Sequence, residues 1–183
     1  MACTLNKGRI EPCKDVVGGI KHVYFTDFNG YGTVTQDADD QITDMDGTFT
    51  AYKYELKGNS SFEQTVNASR VNGTVFFEQT LNLTLKKLSK EDNKEIKLLA
   101  YGRPQIAVED YNGNVFVMGL ENGSEVSGGS IVTGAAMADL SGYTLTFTAQ
   151  EKKPANFVDS PTAADPFAGM ASATVTVTSG SDF

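Results

Sequence analysis

Two similar stretches, Phe62-Glu63-Gln64-Thr65-Val66-Asn67-Ala68-Ser69 and Phe77-Glu78-Gln79-Thr80-Leu81-Asn82-Leu83-Thr84, begin fifteen positions apart, with Asn72-Gly73 between them. Asn-Gly between alternating apolar and polar residues is a strong signal for a two-residue type I′ turn, since both residues tolerate a positive φ. The pattern therefore predicts one long antiparallel hairpin. Its second strand, from Val75 to Lys86, would be about 40 Å long at ~3.3 Å per residue.

This hairpin is predicted to have two unlike faces. Side chains alternate across a strand, and a two-residue turn places a ladder of hydrogen-bonding side chains on one face. The predicted pairs are Glu63 with Asn82, Thr65 with Thr80, and Asn67 with Glu78. The other face is apolar and is expected to pack in a core; its members are Phe62, Val66, Phe77, Leu81, Leu83 and Leu85.

One helix is predicted, over residues 90–101. Ser89 can cap its first turn, with Asp92 in the capping-box position, and Gly102 followed by Pro104 supplies a stop. Its apolar stripe includes Ile96 and Leu99. Because a helix of this length is marginal alone in water, we expect the stripe to pack on a sheet.

The rest of the chain reads as short alternating strands, so the predicted fold class is mainly β. It is an antiparallel barrel or sandwich with long hairpins and one short packed helix. Residues 1–19 are predicted to be an N-terminal arm that ends in Gly18-Gly19, and residues 20–183 a single domain. That domain includes an acidic loop (36–47) and a Pro-rich loop (151–170). Val115-Phe116-Val117-Met118 is apolar on both faces, which predicts burial on both sides, either within the fold or at a subunit contact.

Composition excludes several classes of function. The 183 residues carry a formal charge of −8, and phosphate binding needs clustered Lys and Arg, so a nucleic-acid-binding surface is not expected. No apolar run approaches the ~18 residues that span a bilayer, and residues 1–8 lack the apolar core of a signal peptide. We therefore expect no membrane association, and synthesis in a cytoplasm.

The residues that usually carry catalysis are not arranged for it. His22 is the one histidine and has no partner placed by a motif, which favours a structural role. No nucleophile elbow, zinc-protease motif or nucleotide-binding loop is present. Glu63 and Glu78 would lie about four rungs apart in the predicted register, too far for a glycosidase pair. The chain is therefore not expected to be an enzyme.

Metal and cofactor sites are not expected either. Cys3 and Cys13 have no second cluster to complete a metal site. The acidic loop could offer oxygen ligands to a hard cation, but its spacing fails the EF-hand template and a solvated loop is favoured. Its carboxylates are Asp37, Asp39, Asp40, Asp44 and Asp46.

Three tyrosines leave an alternative open. Tyr24, Tyr52 and Tyr54 could stack against sugars, as in a carbohydrate-binding β-sandwich adhesin. A strand-rich chain needs no such role for its tyrosines, however.

Two further segments carry a family resemblance. Gly8-Arg9-Ile10-Glu11-Pro12-Cys13-Lys14-Asp15-Val16-Val17-Gly18-Gly19-Ile20 is the first, and Ser141-Gly142-Tyr143-Thr144-Leu145-Thr146-Phe147 running towards Pro154-Ala155-Asn156-Phe157 is the second. With the leading arm, long hairpins and lone helix, the chain resembles the tail-tube proteins of bacteriophages and related contractile injection systems. The acidic and Pro-rich loops depart from that resemblance.

The resemblance implies a virion structural protein of the tail, assembled in the host cytoplasm. Such subunits form hexameric rings that stack into a tube, whose negatively charged bore conducts DNA without binding it specifically. The expected partners are other copies of the chain and tail proteins such as sheath, baseplate or terminator. The candidate lumen-facing residues are Glu63, Thr65, Asn67, Glu78, Thr80 and Asn82. A neck or tail-completion protein on the same barrel is the alternative within that class.

Overall fold

The computed structural model describes residues 7–11 and 13–180, so the predicted arm and Cys3 lie partly or wholly outside the described residues. Twelve strands and one helix follow along this part of the chain. In order, they are β1 (Ile20–Thr26), β2 (Val34–Gln36), β3 (Ile42–Met45), β4 (Thr48–Glu55), β5 (Ser61–Ser69), β6 (Thr74–Lys86), α1 (Lys90–Tyr101), β7 (Gln105–Asp110), β8 (Val115–Met118), β9 (Glu125–Val132), β10 (Gly142–Glu151), β11 (Asn156–Phe157) and β12 (Thr174–Ser179).

The strands form two main sheets and a small hairpin. The larger sheet has the order β11-β8-β7-β1-β4-β12, and the smaller has the order β5-β6-β10-β9. β2 and β3 make a separate pair. Pairing is antiparallel except between β12 and β4, which run parallel. The predicted mainly β, antiparallel fold is confirmed, and the layout is a sandwich because neither main sheet closes into a barrel.

The main core lies between the two sheets. Val23 and Phe25 of β1 face Leu81 of β6 and Phe147 of β10, all nearly inaccessible to water. The rings of Phe25 and Phe147 lie 5.3 Å apart, centroid to centroid. Fully burying one such side chain contributes about 2 kcal/mol. This packing turns the other face of the smaller sheet outwards.

The helix closes one side of this core, as its pattern predicts. Ser89 Oγ accepts a hydrogen bond from the Asp92 backbone N–H at 3.0 Å, so the predicted cap is confirmed. At the far end the Gly102 N–H donates to the Leu98 carbonyl at 2.9 Å. Ile96 is buried and Leu99 packs against the same core. The predicted bounds of residues 90–101 agree with the structure.

The predicted core residues of the long hairpin divide into three groups. Leu81 and Leu83 are buried, and Phe62 packs against the core while partly exposed. Phe77 is half-buried. Val66 is 60% exposed, so its prediction as a core residue is wrong for the isolated chain. The reason is that β10 pairs with β6 only as far as Phe77, and Val66, opposite Phe77, sits where the hairpin begins to extend beyond the body.

A second core lies on the outer face of the larger sheet. Tyr24 and Val117 are covered there by Ile42 and Met45 of β3 and by Phe167 from the Pro-rich loop. The rings of Tyr31, Phe49 and Phe167 pack together with centroids 4.9–5.7 Å apart. The strand β8 is therefore buried within the fold, as its apolar faces predict.

The predicted acidic loop (36–47) keeps four of its five Asp side chains exposed, but it is only partly a loop. It contains β3, whose Ile42 and Met45 are buried, and Asp37 Oδ1 closes the β2–β3 turn by accepting the Asp39 and Gln41 N–H groups. The Asp159 N–H of the Pro-rich loop donates to the Ile42 carbonyl at 2.8 Å. The two segments that depart from the resemblance thus form one lid over the second core.

Candidate assembly face on the four-stranded sheet

The outward face of the smaller sheet collects every residue that the sequence assigned to a lumen. Glu63, Thr65 and Asn67 of β5 lie on the same face as Glu78, Thr80 and Asn82 of β6. Glu63, Thr65 and Asn82 are exposed, and the other three are half-buried by their neighbours. The structure therefore brings the six together on one face.

The register inside the hairpin differs from the predicted one by two residues. Ser69 lies opposite Thr74, so residues 70–73 form a four-residue loop instead of a two-residue turn. Thr65 consequently lies opposite Glu78, and Glu63 opposite Thr80. A shift of two keeps every side chain on its predicted face because the strand period is two. Which residues share a face was therefore predictable from the sequence. Which residues lie opposite each other depended on the length of the loop between the two strands.

Cross-strand hydrogen bonds tie this face together. Asn67 Nδ2 donates to Glu78 Oε2 at 3.4 Å, a diagonal contact in the observed register. Thr146 Oγ1 of β10 donates to Asn82 Oδ1 at 2.9 Å. Ser130 of β9 lies 2.7 Å, oxygen to oxygen, from the hydroxyl of Thr144. Such pairs stabilise a sheet by about 0.2–1 kcal/mol each.

The other half of the face was missed at the level of sequence. Thr144, Thr146 and Thr148 of β10 continue it beside β6, and β9 adds Glu125 and Ser130. The alternation of threonine in β10 was the signal that could have found it, but nothing in the sequence places β10 next to β6. The strand pairing extends the polar face over four strands.

The charge on this face is mostly negative. Its carboxylates are Glu63, Glu78 and Glu125, and Lys86 at one end is a cation on the same face. A polyanion moving over such a surface is repelled, so it would not adhere.

Both edges of the smaller sheet are open within the part of the chain that the structure describes. β5 pairs with β6 and β9 pairs with β10, and neither has a partner on its other side. An open edge presents unpaired N–H and C=O groups that can pair with another chain. β5 and β9 are therefore the two edges at which another strand could pair with this sheet.

An apolar patch lies at the end of the hairpin that projects past β10, here called the overhang (residues 66–76). Val66 is 60% exposed, Val75 56% and Val71 96%. Val66 and Val75 lie on the side of the sheet that faces the core further along the hairpin. The apolar side of the hairpin is thus exposed to solvent in the overhang, and none of the described residues covers it.

A buried acid was the main feature that sequence reasoning missed. Glu109 of β7 is 4% exposed, and its carboxylate lies 2.8 Å from both His22 Nδ1 and Tyr24 Oη. Lys21 Nζ donates to the same carboxylate at 3.1 Å. Burial alone would raise the pKa of Glu109, but these hydrogen bonds outweigh it and the pKa is lowered. The partner of His22 comes from β7, which no local motif could show.

This cluster satisfies its own polar groups, since Tyr24 is fully buried and donates to Glu109. Tyr24 is thereby removed from the candidate sugar-stacking tyrosines, which leaves Tyr52 and the half-buried Tyr54. The described residues contain no group of three or more His, Cys, Asp or Glu side chains placed to hold a metal. In the acidic segment, Asp44 bonds Ser172 and Asp40 pairs with Lys153.

Two sequence comparisons with known proteins gave no match. No protein-family model matches the chain, and no curated protein matches its sequence. Among the described residues no helix is long and apolar enough to cross a membrane. The four-stranded sheet is therefore the feature from which a function can be inferred.

Proposed function

We propose that the protein is a self-assembling structural subunit of a phage-type tail tube, with the polar face of the β5-β6-β10-β9 sheet lining the bore. The observation that carries the proposal is that this face presents polar side chains on all four strands while both edge strands lack a further strand partner among the described residues. Pairing β5 of one copy with β9 of the next removes both edges and turns the open sheets into one closed wall.

Three other features support this role. The carboxylates of the polar face would repel DNA during passage. The overhang offers an apolar surface that a neighbouring copy can cover. The resemblance of the arm segment and of β10 to tail-tube proteins points to the same class of assembly, with hexameric rings as the expected unit and virion tails as the expected location.

Crosslinking of the two edges tests the proposal. In a background with Cys3→Ser and Cys13→Ser, the double variant Thr65→Cys/Ser130→Cys places one thiol on each open edge, both at exposed positions. A short bismaleimide should then join copies into a ladder on denaturing gels, and negative-stain microscopy should show rings or tubes.

The matched control is Thr80→Cys/Thr146→Cys, on the same face but in the two central strands. It should give no ladder, because both thiols lie inside one copy's sheet. A monomeric protein at every concentration, without a ladder from the edge variant, would overturn the proposal.

A further inference from the structure

A cleft of about 270 Å³ lies between α1 and the larger sheet. Tyr52 and Tyr54 of β4 line it, and because they are two residues apart they lie on the same face of that strand. They are the two candidate sugar-stacking tyrosines that remain once Tyr24 is assigned to the buried cluster around Glu109. Both remaining candidates therefore lie in one cleft.

The core holds one of these rings and leaves the other accessible. The Phe25 ring, 3% exposed, meets the Tyr54 ring edge to face, with the centroids 5.1 Å apart. Tyr52 lies opposite Phe25 in the β1–β4 register and is 44% exposed. An accessible tyrosine ring offers a large contact area at a low cost in conformational entropy, since only two side-chain torsions are fixed. The cleft thus has an aromatic wall that a ligand can contact.

Charged side chains of both signs surround this wall. Asp27 follows β1, Glu95 lies in α1, and Arg103 follows α1. Asp27 and Glu95 are exposed and form no salt bridge among the described residues. The Arg103 guanidinium lies 3.7 Å from the centre of the Phe28 ring, and the N–H groups in its plane can still donate. The cleft therefore offers both hydrogen-bond acceptors and donors.

The hydroxyl of Tyr54 adds a further donor. Burial raises the pKa of Tyr54 to about 12, and the negative charges of Glu95 and Asp92 contribute to the increase. The hydroxyl therefore stays protonated at neutral pH. The effect of Glu95 also shows that its carboxylate lies on the side of α1 that faces the cleft.

The mixture of groups selects among classes of ligand. A hydroxyl both donates and accepts, so a ligand with several hydroxyls can pair with the carboxylates and with the guanidinium together. An ammonium ion would be repelled by Arg103, and an anion by Asp27 and Glu95. A wholly apolar ligand would bury these groups without hydrogen bonds. A sugar ring meets the conditions, because it has an apolar C–H face and hydroxyls around its edge.

We propose that the cleft binds a saccharide of one or two rings, with a C–H face against Tyr52 and hydroxyls bonded to Asp27, Glu95 and Arg103. The volume of about 270 Å³ is close to the lower end of small-molecule sites, roughly 300 Å³. The site is built from α1 and the larger sheet and uses neither the polar face nor the β5 and β9 edges. It goes beyond the proposed bore and does not depend on it.

A glycan array probed with the full-length protein tests the proposal, and each glycan that binds is titrated as the free sugar by isothermal titration calorimetry. We expect saturable binding of at least one glycan. Tyr52→Ala should weaken it about tenfold, because the stacking surface is removed. Glu95→Ala should weaken it by a similar factor, because a sugar hydroxyl loses a charged acceptor. Both side chains are exposed, so both variants should fold.

The matched control is Tyr111→Ala, in the β7–β8 turn at the other end of β1, whose side chain is 48% exposed. It should bind the glycan as tightly as the wild type. Absence of binding to every glycan overturns the proposal, and so does binding that Tyr52→Ala and Glu95→Ala leave unchanged. Choline chloride is titrated separately, and binding of choline without binding of any glycan also overturns it, in favour of an organic-cation site. The edge crosslinking uses Thr65 and Ser130, so either result can fail while the other stands.

Discussion

Glu109 shows how a single buried residue joins separate parts of the larger sheet. Its carboxylate accepts hydrogen bonds from Tyr24 and Lys21 and lies beside His22, all in β1, while Glu109 itself is in β7. A buried acid without such partners would cost several kcal/mol, whereas one with them keeps its charge. The lowered pKa of Glu109 means that the folded state favours the ionised form.

Replacing this acid should produce a pH-dependent loss of stability. Because the pKa of Glu109 is lower in the folded state, its contribution is present above the ordinary glutamate pKa and is lost as the pH falls through the folded value. Glu109→Gln should lower the free energy of unfolding by about 2 kcal/mol at neutral pH, and the difference should shrink in acid. Denaturant titrations over a pH series measure it.

The control for this variant is Glu63→Gln, at an exposed position on the smaller sheet. Its effect should stay within about 0.5 kcal/mol at every pH. A Glu109→Gln effect that is constant with pH would contradict the assignment of the lost stability to the ionised carboxylate.

The β5–β6 hairpin has one polar and one apolar face, and it extends past the end of β10. Over most of its length β10 lies beside β6 and the apolar side packs on the core, but residues 74–76 pair with β5 alone. The same alternation that buries Leu81 and Leu83 therefore exposes Val75 further along. An element that is longer than the body it covers is expected to find its remaining cover in another copy.

An acidic substitution in the overhang should weaken assembly without changing the stability of the fold. Val75→Asp should leave the free energy of unfolding within about 0.5 kcal/mol, because the side chain is already 56% exposed. It should shift the protein towards smaller species in analytical ultracentrifugation, since a charge cannot be covered by an apolar neighbour. Thr74→Asp, one residue away on the polar face, is the matched control and should assemble normally. Equal behaviour of the two variants would remove the overhang from the interface.

At the scale of the whole molecule, the two main sheets differ in how much of their surface is covered. The larger sheet is covered on both sides, by the main core and by the lid of β2, β3 and the Pro-rich loop. The smaller sheet is covered on one side and presents its polar face and two open edges to the outside. A rigid body that carries an exposed two-edged sheet is suited to building a wall from copies of itself.

The charge of the proposed wall can be tested in particles formed by the protein. Glu63→Lys/Glu78→Lys should form the same particles but bind duplex DNA, with an affinity that falls steeply as salt is raised, because lysines on the face neutralise phosphates. Fluorescence anisotropy of labelled DNA at two salt concentrations measures this. Wild-type particles should show no such binding.

The control is Glu55→Lys/Glu91→Lys, which makes the same change in net charge at two exposed positions outside the smaller sheet. If both double variants bound DNA equally, the effect would follow from net charge, and the polar face would lose its special role.

Much of this fold could be predicted from local sequence. The alternation in residues 62–69 and 77–84 determined which side chains share a face, and Ser89 with Gly102 marked the ends of α1. These features depend on the two-residue period of a strand and on helix capping, both of which act over a few residues. Half of the face that we propose for the bore, the part on β5 and β6, therefore follows from the sequence alone.

The tertiary structure decided what depends on contacts distant in the chain. It set the hairpin register through a four-residue loop, placed β10 and β9 beside β6, and paired Glu109 with His22. It also left Val66 outside the core and assembled the acidic and Pro-rich segments into one lid. Sequence by itself determined the faces, because side-chain alternation is local; only the fold decided the neighbours, because burial and pairing are properties of the whole chain.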